Sequence, residues 1–167
     1  NEIVRALVDD LDAALARVWL AEGTTLHLVA SAGLSSNLDG SRAKVPIGAL
    51  KIGEIASRRV PMTSTSLATD PRFVDKEWIA TNQLTSFAGY PLVVDDQLLG
   101  VLAVFMRRPL EAEELEVLGT LASQSSVAIQ NARLFTRVGE LTRKLEAENE
   151  YLKAELHVPR GIVGQSA

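Results

Sequence analysis

The last part of the chain carries the longest uninterrupted helical pattern. Residues 111–156 contain no proline, and apolar residues recur there at intervals of three and four. As far as residue 135 the apolar stripe is broad, as in a helix that packs against a domain. Beyond that point it narrows to a seam, which consists of Leu134, Val138, Leu141, Leu145, Asn149, Leu152 and Leu156. A narrow seam is typical of helix pairing, so we predict one long helix that serves both purposes.

The spacing of this seam bears on how it would pair. From Val138 to Asn149 the steps are 3, 4 and 4 residues. The additional four-residue step is a stutter, which locally unwinds a supercoil. Asn149 at a seam position favours parallel pairing in one register, at some cost in stability. We therefore predict a homodimer through the terminal helices, with a single solvated helix as the alternative.

The first half of the chain alternates helical patterns with short β-rich segments. Residues 1–16 have the spacing of an amphipathic helix, and residues 18–20 and 24–30 predict a hairpin around Glu22-Gly23. Further along, the pattern predicts a short helix over 49–58, an extended segment over 60–67 and one or two helical turns over 75–81. These elements leave residues 34–43 as a polar loop.

Two apolar segments, residues 85–94 and 97–106, are separated by Asp95-Asp96 and predict a tight hairpin. The second segment is apolar at nearly every position, so both of its faces must be covered. We predict an α+β fold of three layers with a mostly antiparallel sheet. The N- and C-terminal helices cover one face, short helices and loops enclose a pocket on the other, and a long coiled-coil helix follows.

Composition narrows the functional classes. The chain has 167 residues, 47% of them hydrophobic, which suffices for one domain with a sizeable core. The net charge of −4 argues against direct nucleic-acid binding. The sequence shows neither a long apolar run nor a signal peptide, so we expect no membrane binding and a cytoplasmic location. The chain lacks cysteine, which excludes disulfides, thiol catalysis and thioether-attached chromophores.

Several segments, in this order, resemble the GAF domain of bacterial signalling proteins. They cover residues 1–135 and comprise Arg17-Val18-Trp19-Leu20, Val45-Pro46-Ile47-Gly48, Gly53-Glu54-Ile55-Ala56, Asp70-Pro71-Arg72-Phe73, the stretch from Ser86 to Leu92, Leu99-Gly100-Val101-Leu102 and the apolar stripe from Leu118 to Leu134. The resemblance implies a regulatory domain that senses a small molecule. The alternative is a ligand-free scaffold for dimerisation or protein docking.

A second resemblance follows the first along the chain. Residues 145–153 and 162–166 look like the linker that enters the ATPase domain of sigma-54-dependent transcription activators. This predicts a GAF domain over 1–135, a coiled-coil linker over 136–157 and the start of the ATPase domain over 158–167. The resemblance implies that the ATPase and a DNA-binding domain lie beyond Ala167, since the chain has no phosphate-loop motif. Histidine kinases and cyclases carry similar domains and remain alternatives.

The resemblance also implies a pocket between the sheet and the middle helices, roughly over residues 49–90. The candidate ligand-binding residues are Trp19, Thr63, Thr65, Asp70, Phe73, Trp78, Thr85, Ser86 and Tyr90. Each has a structural alternative: Asp70 suits a turn or helix cap, and Phe73 and Trp78 suit core packing. A pocket filled by Trp78, Phe73 and Phe87 would favour the ligand-free scaffold.

Metal binding and catalysis find little support in the residue inventory. His27 is the only histidine of the predicted domain, and one histidine with scattered aspartates does not predict an iron site. We expect neither haem, bilin nor metal, and the identity of any small metabolite stays open. A GAF-fold methionine sulfoxide reductase would need cysteines, so we expect no enzyme activity. The arginine pairs 58–59 and 107–108 lie at predicted element ends and are expected in solvent.

Overall fold

The computed structural model describes the backbone of residues 2–166 and the side chains of residues 2–156. The chain divides into two compact units, Asn1–Ala128 and Ile129–Ala167. The predicted start of an ATPase domain, residues 158–167, lies outside the residues whose side chains are described. The predicted boundaries at residues 135 and 157 stay predictions.

The first unit is built on a six-stranded, wholly antiparallel sheet with the order β3-β2-β1-β6-β5-β4. The elements in chain order are α1 (Glu2–Leu11), β1 (Leu15–Glu22), β2 (Thr25–Gly33), β3 (Lys44–Pro46), α2 (Leu50–Arg58), β4 (Met62–Ser64), α3 (Lys76–Thr81), β5 (Ser86–Val94), β6 (Gln97–Met106) and α4 (Ala112–Ser166). The predicted α+β class with a mostly antiparallel sheet is confirmed.

Strand β6, which lies at the centre of this sheet beside β1, forms a hairpin with β5. Asp95 and Asp96 both have positive φ, 50° and 62°, as a two-residue turn between twisted strands requires. Strand β6 is buried along nearly its whole length, because it pairs with β1 on one side and β5 on the other while helices cover both faces.

Alternation along β5 separates two cores. Phe87 packs with Ile55 of α2, Phe73 and Ile79 in one apolar cluster. Tyr90 projects from the opposite face of the sheet, where its hydroxyl donates to the carbonyl oxygen of Leu115 in α4 at 2.8 Å. Helix α1 also packs on the sheet, against β1 and β2, with Val4 and Leu7 buried. The terminal helices thus share one face, and α2 and α3 cover the other.

Two boundaries correct the sequence analysis. The first helix ends at Leu11 rather than Ala16, because Asp12 adopts a positive φ of 58° and Leu15 already pairs with Phe105 of β6. The short strand β3 was not predicted; it pairs with the start of β2, with Val45 fully buried. The predicted helix over 49–58, the helical turns over 75–81 and the strands over 85–94 and 97–106 agree with the structure within a residue or so.

Candidate functional site

Aromatic rings fill the region between the sheet and the middle helices. Phe87 lies at the centre, with ring centroids 5.0 Å from Phe73 and 4.9 Å from Phe105. Trp78 of α3 meets Phe105 edge to face at 5.2 Å. Phe73 and Phe87 are buried, and Leu67, Ile79 and Leu84 complete the same cluster. The predicted pocket residues Phe73 and Trp78 therefore both pack against Phe105. Such ring packing is the arrangement expected of a ligand-free interior.

The loop above these rings is tied down by its own polar groups. The ammonium of Lys76 donates to the carbonyl oxygens of Leu67, at 2.7 Å, and Asp70. Asp75 caps α3, accepting from the backbone N–H of Trp78 at 3.4 Å. Lys51 of α2 lies over the ring of Phe73, 5.8 Å from its centroid. These contacts hold the loop against the aromatic cluster.

The structure does bring three predicted residues together at the surface. Thr63, Thr65 and Asp70 line an open cleft of about 340 Å³ between β4 and the following loop. The other lining residues are Ser64, Ser66, Thr69 and Arg72. This set offers hydroxyls, one carboxylate and one guanidinium, which is a chemistry for polar ligands rather than for apolar ones. We call it the hydroxyl cleft.

Asp70 and Arg72 dominate the electrostatics of the hydroxyl cleft. The guanidinium of Arg72 donates to both carboxylate oxygens of Asp70, from Nη2 at 2.7 Å and from Nε at 3.0 and 3.2 Å. The backbone N–H of Arg72 adds a bond to Asp70 Oδ1 at 2.9 Å. Hydrogen bonding to Arg72 holds the pKa of Asp70 far below its usual range and raises the pKa of Arg72. Arg72 Nη2 also donates to the carbonyl oxygen of Thr63 at 2.8 Å.

The four remaining predicted site residues also lie outside the hydroxyl cleft. Trp19 is buried in β1, and its ring N–H donates to the carbonyl oxygen of Arg42 at 2.8 Å. Ser86 is fully buried and donates to the carbonyl oxygen of Arg108, and Thr85 donates to that of Arg107. Tyr90 faces α4, and burial raises the pKa of its hydroxyl. Ser86 and Tyr90 share the face of the terminal helices, so they do not line a pocket under α2 and α3.

Sequence reasoning missed Arg108, which was expected in solvent. Its guanidinium pairs with both carboxylate oxygens of Glu114 in α4, at 2.6 and 2.7 Å, and donates to the carbonyl oxygen of Leu11 at the end of α1 at 2.9 Å. The pairing lowers the pKa of Glu114 and raises that of Arg108. Arg108 thus links the end of α1 to the first turn of α4. In the sequence, the feature that could have revealed this role of Arg108 is Glu114, an acidic residue six positions later at the start of a helix.

The second unit consists of the continuation of α4 and exposes its apolar residues. Leu134, Val138, Leu141, Leu145, Leu152 and Leu156 are each between 49% and 62% exposed. Asn149 is exposed as well. Among the residues whose side chains are described, this row of leucines has no apolar partner that covers it.

Among the residues with described side chains, no cluster of histidine, aspartate and glutamate could hold a metal ion. None of the described helices combines the length and apolar character needed to cross a membrane. His27 lies 3.7 Å from Glu22 at the first hairpin, away from the hydroxyl cleft.

Solved structures with the same fold come from several signalling proteins and enzymes. The GAF domain of a phosphoenolpyruvate-protein phosphotransferase from Coxiella burnetii is 22% identical, with a TM-score of 0.69 over 81% of this chain and 82% of that one. The GAF domain of a two-component sensor histidine kinase from Bacillus halodurans is 23% identical, with a TM-score of 0.64 over 81% of this chain and 96% of that one. Free methionine-R-sulfoxide reductase from Neisseria meningitidis, solved with its substrate, is 15% identical, with a TM-score of 0.65 over 80% and 77%.

The sheet order, the helices on its two faces and these likenesses define a GAF-like α+β fold. The family model of the GAF domain matches residues 1–130, and the chain belongs to that family. A search among curated protein sequences finds no match. GAF domains are general small-molecule-sensing and regulatory modules, and the likenesses above, all below 25% identity, add only the fold.

Proposed function

We propose that this chain is the cytoplasmic regulatory domain of a bacterial transcription activator, and that it acts as a homodimer whose α4 helices control a downstream ATPase. The observation that carries the proposal is the exposed seam of the second unit. Burying one leucine or valine contributes about 1.5–3 kcal/mol, so a row of half-exposed ones favours a partner strongly. Helix pairing buries such a row along its full length.

The ATPase is proposed from the sequence around the end of the seam. Residues 145–153 and 162–166 resemble the linker of sigma-54-dependent activators. A long helix leaving a sensor domain can change its pairing or rotation when the domain changes state, and that change can reach a following domain. A histidine kinase or a cyclase as the output domain would use the same helix, so the coupling element is shared by these alternatives.

Two roles are candidates for the first unit: sensing of a small molecule, and a ligand-free scaffold. A small polar molecule could bind in the hydroxyl cleft, where Thr63, Thr65 and Asp70 converge. The second candidate is a ligand-free scaffold for dimerisation or docking, and the aromatic cluster of Phe73, Phe87, Phe105 and Trp78 favours it. A metabolite screen by thermal shift separates them: stabilisation by a polar metabolite that is lost in Thr63→Val supports sensing, and its absence across the screen supports the scaffold.

The homodimer is tested by moving a charge around the helix. Leu141→Asp places a carboxylate in the seam, whereas Thr136→Asp places the same charge on the far side of the same helix. Sedimentation equilibrium should give a dimer for the parent chain and for Thr136→Asp. For Leu141→Asp we expect the dissociation constant of the dimer to be at least tenfold larger, since the desolvated charge has no partner. A monomeric parent chain at 100 µM, or equal behaviour of the two variants, would contradict the proposal.

A further inference from the structure

Arg17 is a partly buried arginine of the sheet that lacks a carboxylate partner. It lies in β1, between β2 and β6. Other arginines of this unit do have such partners: Arg58, Arg72 and Arg108 each form an ion pair with a glutamate or an aspartate. Among the residues whose side chains are described, Arg17 forms no ion pair. Because arginine keeps its charge at neutral pH, the positive charge of Arg17 is not balanced by this part of the protein.

One edge of the Arg17 guanidinium is fixed, and the other is open. Nε donates to the hydroxyl oxygen of Ser31 at 3.1 Å, and that hydroxyl donates in turn to the carbonyl oxygen of Ser35. Nη1 and Nη2 have no acceptor among the described residues, in which no buried side-chain nitrogen or oxygen is left without a partner. The two Nη atoms therefore reach solvent. They present the fork geometry that binds two oxygens of a carboxylate or a phosphate.

A second arginine, Arg42, is brought near Arg17 by the loop that follows β2. Trp19 lies two residues after Arg17, on the same face of β1, and its ring N–H donates to the carbonyl oxygen of Arg42 at 2.8 Å. The carbonyl oxygen of the next residue, Ala43, accepts from the backbone N–H of Leu28 in β2 at 2.8 Å. These two bonds fix the backbone of Arg42 against the strands. Its side chain forms no ion pair with any residue whose side chain is described.

The two guanidinium groups repel each other. Burial lowers the pKa of Arg17, and the charge of Arg42 lowers it further. The opposite holds at Arg72 and Arg108, where hydrogen bonds to carboxylates raise the pKa. Asp39, the only acidic residue of the loop over residues 34–43, pairs with neither Arg17 nor Arg42. Two like charges held together without a counter-ion destabilise the fold, and a bound anion relieves that repulsion.

We infer that Arg17 and Arg42 form a binding site for a small oxyanion, a phosphate or carboxylate group of a metabolite, between β1 and the loop over residues 34–43. The open edge of Arg17 binds two of its oxygens, and Arg42 supplies the second positive charge. The site is separate from the hydroxyl cleft, where Asp70 already neutralises Arg72. The inference goes beyond the proposed function, because it depends on neither the homodimer nor the hydroxyl cleft.

Thermal unfolding of the full chain with two probe anions tests this site. Sodium phosphate and sodium succinate, each at about 20 mM and pH 7, are compared with sodium chloride at equal ionic strength. An anion that binds only the folded state stabilises it, so at least one of the two should raise the unfolding temperature of the parent chain by about 2 °C or more. An effect of phosphate alone would indicate a phosphate ester as the ligand, and an effect of succinate alone a carboxylate; either result supports the site.

Arg17→Gln and Arg42→Gln each remove one of the two charges and should reduce this temperature shift by about threefold or more. Arg42→Gln changes a side chain of a surface loop, so it keeps the test decisive even if Arg17→Gln fails to fold. Arg5→Gln is the matched control: it removes the same charge from an exposed position of α1 and should keep the full shift. Thr63→Val, in the hydroxyl cleft, should keep it as well.

The absence of a shift in the parent chain with both anions would overturn the inference. A shift that persists in both Arg17→Gln and Arg42→Gln, or that falls equally in Arg5→Gln, would be a general effect of salt and would overturn it too. Loss of the shift in Thr63→Val alone would assign the anion to the hydroxyl cleft, which contradicts this site and supports the sensing role proposed above. None of these results bears on dimerisation, which sedimentation equilibrium tests separately.

Discussion

At the scale of single residues, Asp70 shows how a predicted ligand contact can be occupied already. Its carboxylate accepts three bonds from the guanidinium of Arg72 and one from the backbone N–H of the same residue. Most of its acceptor capacity is therefore used within the loop. The turn role anticipated from the Asp-Pro sequence is what the structure shows, and a ligand in the hydroxyl cleft would find Thr63 and Thr65 more available.

Replacing Asp70 by asparagine should lower the free energy of unfolding at pH 7 by about 0.5–1 kcal/mol, the range of a partly exposed ion pair. The pKa of Asp70 is depressed in the folded state, so its contribution is complete above the unfolded pKa of about 3.9 and is lost as the pH falls through the folded value. Urea titrations should therefore show a smaller difference in the free energy of unfolding between the parent chain and Asp70→Asn at pH 3 than at pH 7.

Asp39→Asn is the control for this experiment. Asp39 lies in the polar loop and has no ion pair or hydrogen bond with any residue whose side chain is described. We expect its replacement to leave the free energy of unfolding unchanged at both pH values. A difference for Asp70→Asn that grows as the pH falls would contradict the assignment of the stabilising charge to this carboxylate.

Tyr90 offers a second test at this scale. Tyr90→Phe removes the hydroxyl that donates to Leu115 of α4 and should cost about 0.5–1.5 kcal/mol of stability in urea denaturation. Tyr151→Phe removes the same atom from an exposed tyrosine whose hydroxyl lies 3.3 Å from Glu155, and we expect almost no change. Equal effects of the two substitutions would mean that the bond to α4 contributes nothing.

At the scale of elements, the local sequence pattern predicted the secondary structure correctly where it agreed with the pairing of strands in the folded sheet. The β5–β6 hairpin could be predicted because its turn residues and its apolar runs point to the same structure. The end of α1 could not, since Ala13 to Ala16 has good helix propensity, and the strand there exists only because β2 and β6 pair with it. Strand β3 escaped prediction for a similar reason: its three residues form a strand only through pairing with β2.

Two glycines of these elements should respond in opposite ways to alanine. A methyl group at Gly119 of α4 would meet the ring of Tyr90 at 3.6 Å, an ordinary contact, so Gly119→Ala should stabilise the domain by about 0.5–1 kcal/mol. A methyl group at Gly89 of β5 would collide with the side chains of Ile55 and Phe87, and Gly89→Ala should destabilise it by about 1–3 kcal/mol.

Thermal or urea unfolding of both glycine variants gives the comparison. Gly139→Ala in the second unit serves as a reference, because an added methyl group there has no neighbour within 4 Å among the described residues. It should increase helicity in circular dichroism without affecting the packing of the sheet. A stabilising Gly89→Ala would show that α2 can move away from β5, contrary to the packing described.

At the scale of the whole molecule, the class of the domain could be predicted but the site only in part. The order of segments such as Gly53-Glu54-Ile55-Ala56 and Asp70-Pro71-Arg72-Phe73 indicated the GAF family, which the match over residues 1–130 confirms. The predicted ligand-binding residues fall at the surface, in the aromatic core and on the opposite face of the sheet. Whether an interior is hollow depends on how side chains from several elements fit together, and no local pattern encodes that.

In the proposed homodimer, with the two α4 helices parallel, Glu148 of one copy would face Lys153 of the other beside the seam. Glu148→Lys should weaken this dimer, because it places a second lysine opposite Lys153 of the other copy. Lys153→Glu should weaken it similarly, and the double exchange should restore the parent affinity in sedimentation equilibrium at low salt. Two weakening effects that simply add in the double variant would contradict a Glu148–Lys153 contact between copies.

The filled interior also has a kinetic consequence. A metabolite that entered beneath α3 would have to displace at least one of the rings of Phe73, Phe87, Phe105 and Trp78, whose centroids lie about 5 Å apart. Entry would then wait for a rare open conformation, and the observed association rate would level off as the metabolite concentration rises. A molecule captured at the outer hydroxyl cleft would show no such ceiling, so stopped-flow traces alone could tell an inner route from an outer one.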